Sequence, residues 1–398
     1  MLGAIYVGLS GMNAYSKGLQ TISNNVANLN TSGFKSTAVS FTDVFNHGGG
    51  GLTFSQGTSF SQAGNGVRFG EPRVDFSQGD LRQSDGDLDL AIQGSGFLVL
   101  LNDGKTYYTR TGQFTVDKDG YISELETGYR LGILDESRQP VALNIDEKRT
   151  SAPVATTKVV FADTLSADAS AAVSVANIAV YDSRGGLQTW TATFTKSGAA
   201  SLSEWDVVVK NQTGTQVGTT QKLRFIGTNV DPATATLKFD SKPAGGGDAV
   251  PVTLDFSAVK SFVAGSNSTI RASSVDGNGV GTLTTVTIED GKVKLTYSNE
   301  KTDFLGAVAI ADFRDPQQLE RIGDGRFEDR GSGQFRLLES GAEGAGKLVS
   351  RQIEASNVDL SQEFGDLILI QRGFQASSQV VSTANDMIQQ LFGIRGQG

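Results

Sequence analysis

Five carboxylates could, on a β scaffold, come within reacting range of one another: Asp85, Asp87, Asp89, Asp324 and Glu328. A protonated and an ionised carboxyl facing each other are the working parts of glycoside hydrolysis. Asp87 and Asp89 would share one face of an extended strand, about 6.5–7 Å apart along the chain. Solvated aspartates at a turn have the same spacing, so a secreted β-scaffold hydrolase is only the remote alternative. Asp85-Gly86-Asp87-Leu88-Asp89 also opens like a calcium loop. Its sixth position is Leu90 and its twelfth Gly96, where that loop needs glycine and glutamate. Gly94-Ser95-Gly96 lacks the third glycine and the following helix of a dinucleotide site. The chain has one histidine, His47, and no cysteine. Zinc, haem, iron–sulfur, thiol and Ser–His chemistries thereby lose their usual ligands or bases. No catalytic, cofactor or metal residue is expected, and the chain is not expected to be an enzyme.

The elements around these residues suggest a different role. The 398 residues include 49 glycines and 7 prolines, with 19% charged and a net charge of −9. That composition is turn-rich and β-rich, and its length suggests two or three domains. The acidic balance disfavours nucleic acid as a partner. No apolar run reaches the ~18 residues of a membrane span, and nothing basic precedes Lys17 as in a secretory signal.

The two ends have helical periodicity. Asp359 with Gln362 is a helix start and Gly393 a natural stop, about 50 Å apart along a helix at 1.5 Å per residue. Leu360, Leu367, Phe374, Val381 and Ile388 recur every seventh position, beside Phe364, Gln371, Ser378, Asn385 and Phe392. At the N-terminus Ile5, Met12, Leu19 and Val26 do the same, beside Leu2, Leu9, Ser16 and Ser23. Matching seams with polar middles predict termini that pair as a coiled coil and assemble with copies of the chain. Gly3, Gly8, Gly11 and Gly18 each weaken the first helix by about 0.8–1 kcal/mol relative to alanine. It should fold only on docking, leaving the free monomer with disordered ends. Gly373 predicts a bend or weak point in the second helix.

The first helix ends in Asn24, Asn25 and Asn28, followed by Gly33, Phe34 and Lys35. Asn-Asn-Val-Ala-Asn, a spacer and then Gly-Phe-Lys resembles the signature of bacterial flagellar rod and hook axial proteins. Asp-Leu-Ala-Ile-Gln-Gly-Ser-Gly-Phe (89–97), Tyr-Thr-Arg-Thr-Gly-Gln-Phe (108–114) and Glu-Ala-Ser-Asn-Val-Asp-Leu-Ser (354–361) are similar to further motifs of that family. Tyr181-Asp182-Ser183-Arg184-Gly185, Phe194-Thr195-Lys196 with Trp205, and Tyr297-Ser298-Asn299-Glu300-Lys301-Thr302 resemble its hook branch.

The expected architecture is mainly β globular domains with long helical ends, multi-domain and with a nested insertion. Residues 1–30 and 356–398 form the helical assembly domain, and 31–70 a connector in which Phe54, Phe60 and Phe69 have something to bury. A first β domain covers 71–145 and 279–355, and an inserted outer β domain covers 146–278. The resemblance implies a structural subunit that polymerises into a curved tube outside the cell. Its implied partners are copies of itself, the distal rod protein, the hook cap protein, hook–filament junction proteins and the flagellar type III export apparatus. A distal rod or other basal-body axial protein is the nearer alternative. The expected assembly interface is Ile5, Leu9, Met12, Leu19, Val26, Asn24, Asn25, Asn28, Gly33, Phe34, Leu360, Phe364, Leu367, Phe374, Val381 and Ile388.

Overall fold

A computed structural model describes residues 2–44, 66–197, 204–241, 249–265, 267–331 and 334–395. His47, Phe54, Phe60 and most of the connector lie outside the described residues. The fold is mostly β, with one long helix at each end. The contacts divide the chain into two compact units. One comprises Met1–Asp146, Val286–Lys294 and Phe304–Gly398; the other comprises Glu147–Thr285 and Leu295–Asp303.

In the first unit, Phe97–Asn102 and Lys105–Thr109 form a hairpin at the centre of a ten-stranded sheet. Asp103 and Gly104 make its two-residue turn with φ of 47° and 76°, the left-handed pair such a turn needs. Alternate residues of these strands face a core of Phe97, Val99, Tyr108, Phe313 and Phe327. Tyr108 packs edge-on against Phe313 at 4.8 Å. Burial, with a smaller contribution from Asp329, pushes its hydroxyl up to about 12.

The expected strand through Asp87 and Asp89 is not formed. Residues 85–89 are a turn and the strand runs Leu90–Gln93, pairing with Lys347–Ser350 and Thr111–Gly112. The two carboxylates therefore do not share a face. Asp89 is buried and accepts from Ser84 Oγ, while half-buried Asp87 pairs with Arg351. Asp324 pairs with Arg326 at 2.7 Å, and Glu328 lies 4.0 Å from Lys105.

The second unit contains a five-stranded antiparallel sheet, ordered Val173–Tyr181, Leu187–Lys196, Glu204–Lys210, Gln216–Ile226 and Asn229–Val230. It also contains a four-stranded sheet in which Lys158–Ala162 lies between Val250–Asp255 and Arg271–Val275. Residues 182–186 form a turn in which the Asp182 carboxylate accepts from the backbone N–H of Arg184 (2.9 Å) and Gly186 (2.8 Å). Leu223, Phe239, Leu254 and Phe256 complete this core.

Helices α1 (Leu2–Ala27) and α2 (Leu360–Arg395) belong to the first unit. Asp359 caps α2, its Oδ1 accepting from the N–H of Ser361 (2.8 Å) and Gln362 (3.3 Å). The helix continues past Gly393 to Arg395 and passes through Gly373.

Candidate assembly site

The two helices pack antiparallel. Gly8 lies against Val381, Gly11 against Ser377, Gly18 against Ile370, and Asn25 reaches Glu363. A Cβ on Gly8 would stand 2.6 Å from Val381 Cγ2; one on Gly11, 2.6 Å from Ser377 Oγ; and one on Gly373, 2.5 Å from the Tyr15 ring. These glycines let the helix backbones approach closely, and this explains why a poor helix former recurs in α1. Gly373 is a contact surface for Tyr15, and the helix is unbroken there.

The close approach also selects the contact lines. On α1 the buried residues are Gly8, Gly11, Ala14, Gly18, Ile22 and Asn25. Ile5, Met12, Leu19 and Val26 are only half-buried, and Leu9 is 53% exposed. On α2, Leu367, Phe374, Val381 and Ile388 flank the contact half-buried, and Leu360 is exposed. Their companions at the contact are Glu363, Ile370, Ser377 and Ala384, three residues on. The expected line, four residues on, contains Phe364, Gln371, Ser378 and Asn385, all exposed. Bulk hydrophobicity misidentified the line because the fit is set by where α1 has no side chain.

Where both ends meet the β strands, charge is buried. Lys35 and Glu354 are fully buried and paired, and Glu354 Oε2 accepts from Arg110 Nε at 3.2 Å. Every other group there is satisfied. Lys35 Nζ donates to Ser77 O (2.7 Å), Gly79 N–H donates to Glu354 Oε1 (2.9 Å), and Arg110 donates to the carbonyls of Ile92, Gly94 and Gly96. Burial lowers the Lys35 ammonium below the usual lysine range, against the opposing pull of Glu354. A buried ion cluster of this kind adds little net stability, but removing one partner strands the others.

Neighbouring groups tie the same junction. Asn25 Nδ2 donates to Thr37 O (3.0 Å) and Glu363 Oε1 (2.8 Å), while its Oδ1 accepts from Thr37 N–H (3.0 Å). Asn357 Oδ1 accepts from Ser36 N–H at 2.7 Å, and its amide donates to Asp75 O at 2.8 Å. Phe34 is buried, with the Arg321 guanidinium 4.6 Å over its ring. Gly33, at φ 67°, donates its N–H to Glu354 O at 2.8 Å. Asn24 and Asn28 bond each other at 3.0 Å and finish the helix locally. Of the three asparagines, only Asn25 joins separate elements. Lys35, Arg110, Glu354 and Asn357 all fall within the recognised motifs, but nothing in the sequence marks them as one cluster.

Burial at Glu363 raises its carboxyl above the ordinary range. The Asn25 hydrogen bond opposes this, and nearby Asp366 and Asp359 add to it.

Three family models match. Residues 5–35 match "Flagella basal body rod protein", 91–162 match "Flagellar hook protein FlgE/F/G D1 domain", and 349–394 match "Flagellar basal body rod FlgEFG protein C-terminal". The flagellar hook protein FlgE of Escherichia coli K12 is 29% identical over 97% of this chain and 98% of its own length. That of Borreliella burgdorferi is 27% identical over 98% and 99%. The Helicobacter pylori flagellar hook protein FlgE2 structure covers 69% of this chain and 99% of its own, at 15% identity and a TM-score of 0.48. Both ends and the first β region match models of flagellar rod and hook proteins, and flagellar hook proteins align over nearly the whole length of the chain.

Proposed function

We propose that this chain is the structural subunit of a bacterial flagellar hook, polymerising with itself into a curved tube outside the cell body that transmits torque. One observation carries the reading beyond family resemblance. The terminal helices pack on a line in which glycine, alanine and serine alternate with Ile22 and Ile370, and most of their other large apolar residues stay half-buried or exposed, a surface suited to further copies. We read the helix pair as a short coiled coil, residues 71–145 with 279–355 as a first β domain, and 146–278 as a nested outer domain. The expected interface from Ile5 to Ile388 belongs to this reading, as do Asn25, Gly33 and Phe34, which hold the helices to the β strands. The role is mechanical, without catalysis or cofactor. Torsional stiffness comes from the helical layer, and bending from weak contacts between outer domains. Family resemblance supplies the remaining partners: distal rod protein, hook cap, hook–filament junction proteins and the type III export apparatus.

The rod is the second reading, because the models matching 5–35 and 349–394 are described by rod proteins. Electron microscopy of the full chain beside one lacking residues 1–27 separates the two. Curved tubes from the full chain alone are expected. Straight tubes would favour the rod, and full-length protein that never polymerises would overturn both.

A further inference from the structure

In the second unit, residues 276–278 continue the antiparallel pairing of Arg271–Val275 beside the segment that leads into Lys158–Ala162. Asp276 N–H donates to Lys158 O (3.2 Å), and the Asp276 carboxylate accepts from the N–H of Thr157 and of Lys158, both at 2.9 Å. Asn278 then pairs with Val154, its N–H and C=O each bonded at 2.9 Å. Asn278 is 6% exposed, and its Oδ1 is buried with no hydrogen-bond partner among the described residues. Its Nδ2 donates to Gly279 O at 3.0 Å, which also accepts from Asn299 Nδ2 at 2.8 Å.

Asparagine before glycine is the pair that loses its side-chain amide most readily, because glycine leaves the attacking nitrogen unhindered. Gly279 N gives its proton to solvent base and attacks Asn278 Cγ. The new C–N bond closes a succinimide ring, and Nδ2 leaves as ammonia, taking a proton from water. Water then opens the ring at one carbonyl or the other, giving aspartate or isoaspartate. Packing explains why glycine stands there despite this reactivity. A Cβ on Gly279 would lie 3.2 Å from the Tyr181 ring, and one on Gly277 would overlap Thr156.

The folded unit closes this chemistry. Ring closure needs the Asn278 ψ to leave the extended region, which would break the bond from Val154 N–H to Asn278 O. The tetrahedral intermediate would put negative charge on Oδ1, where no described residue offers a donor. Conversion also blocks the return. Aspartate would set an unpaired buried carboxylate against the Gly279 carbonyl, and isoaspartate adds a main-chain carbon beside the Val154 pairing. We propose that Asn278–Gly279 is a deamidation site that opens only when the second unit unfolds, and that conversion there prevents the unit from refolding. The pair thereby marks chains that have stayed unfolded.

The test holds the full wild-type chain at mildly alkaline pH, native or in urea, and maps its peptides by mass spectrometry with isoaspartate detection. Peptides covering residue 278 are read separately from those covering Asn65–Gly66, the chain's other such pair. Conversion at 278 is expected to be at least about a hundredfold slower in the native chain, as for an opening that costs about 2.8 kcal/mol. Comparable rates in the two samples, or no conversion at 278 in urea, would overturn the site. The urea-treated chains are then returned to native buffer and separated by size into refolded and misfolded fractions. Trp190 and Trp205, the chain's two tryptophans, are both buried in the second unit, so their emission identifies the fraction in which it has refolded. Converted residue 278 is expected in the misfolded fraction alone. An equal share in both fractions would overturn the block to refolding.

Discussion

The core of the second unit and the helix pair of the first are built on opposite plans. In the former, Phe161, Trp190, Phe194, Trp205, Phe239 and Phe256 are all essentially inaccessible. Its strands alternate cleanly, Thr236–Ser241 burying every second residue. In the helix pair the closest contacts are made by glycine, alanine and serine, and much of the larger apolar surface faces outward. One region completes its burial within a single chain. The other leaves apolar side chains such as Leu9, Leu369 and Met387 exposed.

The largest effects should separate these plans. Trp190→Ala removes a fully buried ring and should lower stability by about 3–5 kcal/mol in denaturant unfolding. Polymerisation under native conditions should persist as long as the second unit still folds. Leu9→Ala should do the reverse. Monomer stability should change by no more than about 0.5 kcal/mol, as for other exposed substitutions, while the critical concentration for polymerisation rises. Equal stability losses in the two variants would erase the contrast.

Glu354→Ala tests the junction between the plans. It leaves Lys35 and Arg110 buried without their counter-ion, a loss of about 3–5 kcal/mol. Because Glu354 also accepts from Gly79 N–H, the chain entering and the chain leaving the β strands should both loosen. Limited proteolysis should then cut near residues 28–36 and 355–359 before it cuts the second unit. Unchanged protection at both ends would show that the cluster does not hold them.

Gly8→Ala and Gly373→Ala should each destabilise the helix pair by about 1–3 kcal/mol through overpacking, despite alanine's better helix propensity. Far-UV circular dichroism during thermal unfolding would register the change. A stabilised helix would mean that the close approach of α1 and α2 is not required.

How legible these features were in the sequence depends on which physical signal each one leaves. The Asp359 cap was readable because short-range backbone chemistry fixes it. The heptad positions from Leu367 to Ile388 were readable as a period. Their true companions were not, since Ser377 and Ala384 have no hydrophobic signal and Gly8 and Gly11 looked only like poor helix formers. Close packing of small residues cannot be seen from one helix alone. The junction cluster was hidden differently. Lys35, Arg110 and Glu354 are far apart in sequence, and isolated charges ordinarily belong on the surface. The strand expected through Asp87 and Asp89 failed because a local turn with a buried Asp89 gives the same alternation.

The smallest effect should be the most specific. Glu363 sits where α2 begins and accepts from Asn25 Nδ2, so its proton is linked to docking of the helices. Burial first, then Asp366 and Asp359, raises its carboxyl above the ordinary 4.5. A raised folded-state value means that the docked state holds the proton more tightly than the undocked one. The resulting stabilisation is complete below the ordinary value and disappears as pH rises through the folded-state value. Docking should thus weaken slightly between mildly acidic and neutral pH. Amide exchange at residues 360–370, followed across that range, should show less protection at the neutral end. Glu363→Gln keeps an acceptor for Asn25 and cannot titrate, so its exchange should lose this pH dependence. If the variant retains the wild-type dependence, Glu363 is not the responsible group, and the contrast between a finished core and a pH-tunable helix contact loses its chemical basis at this residue.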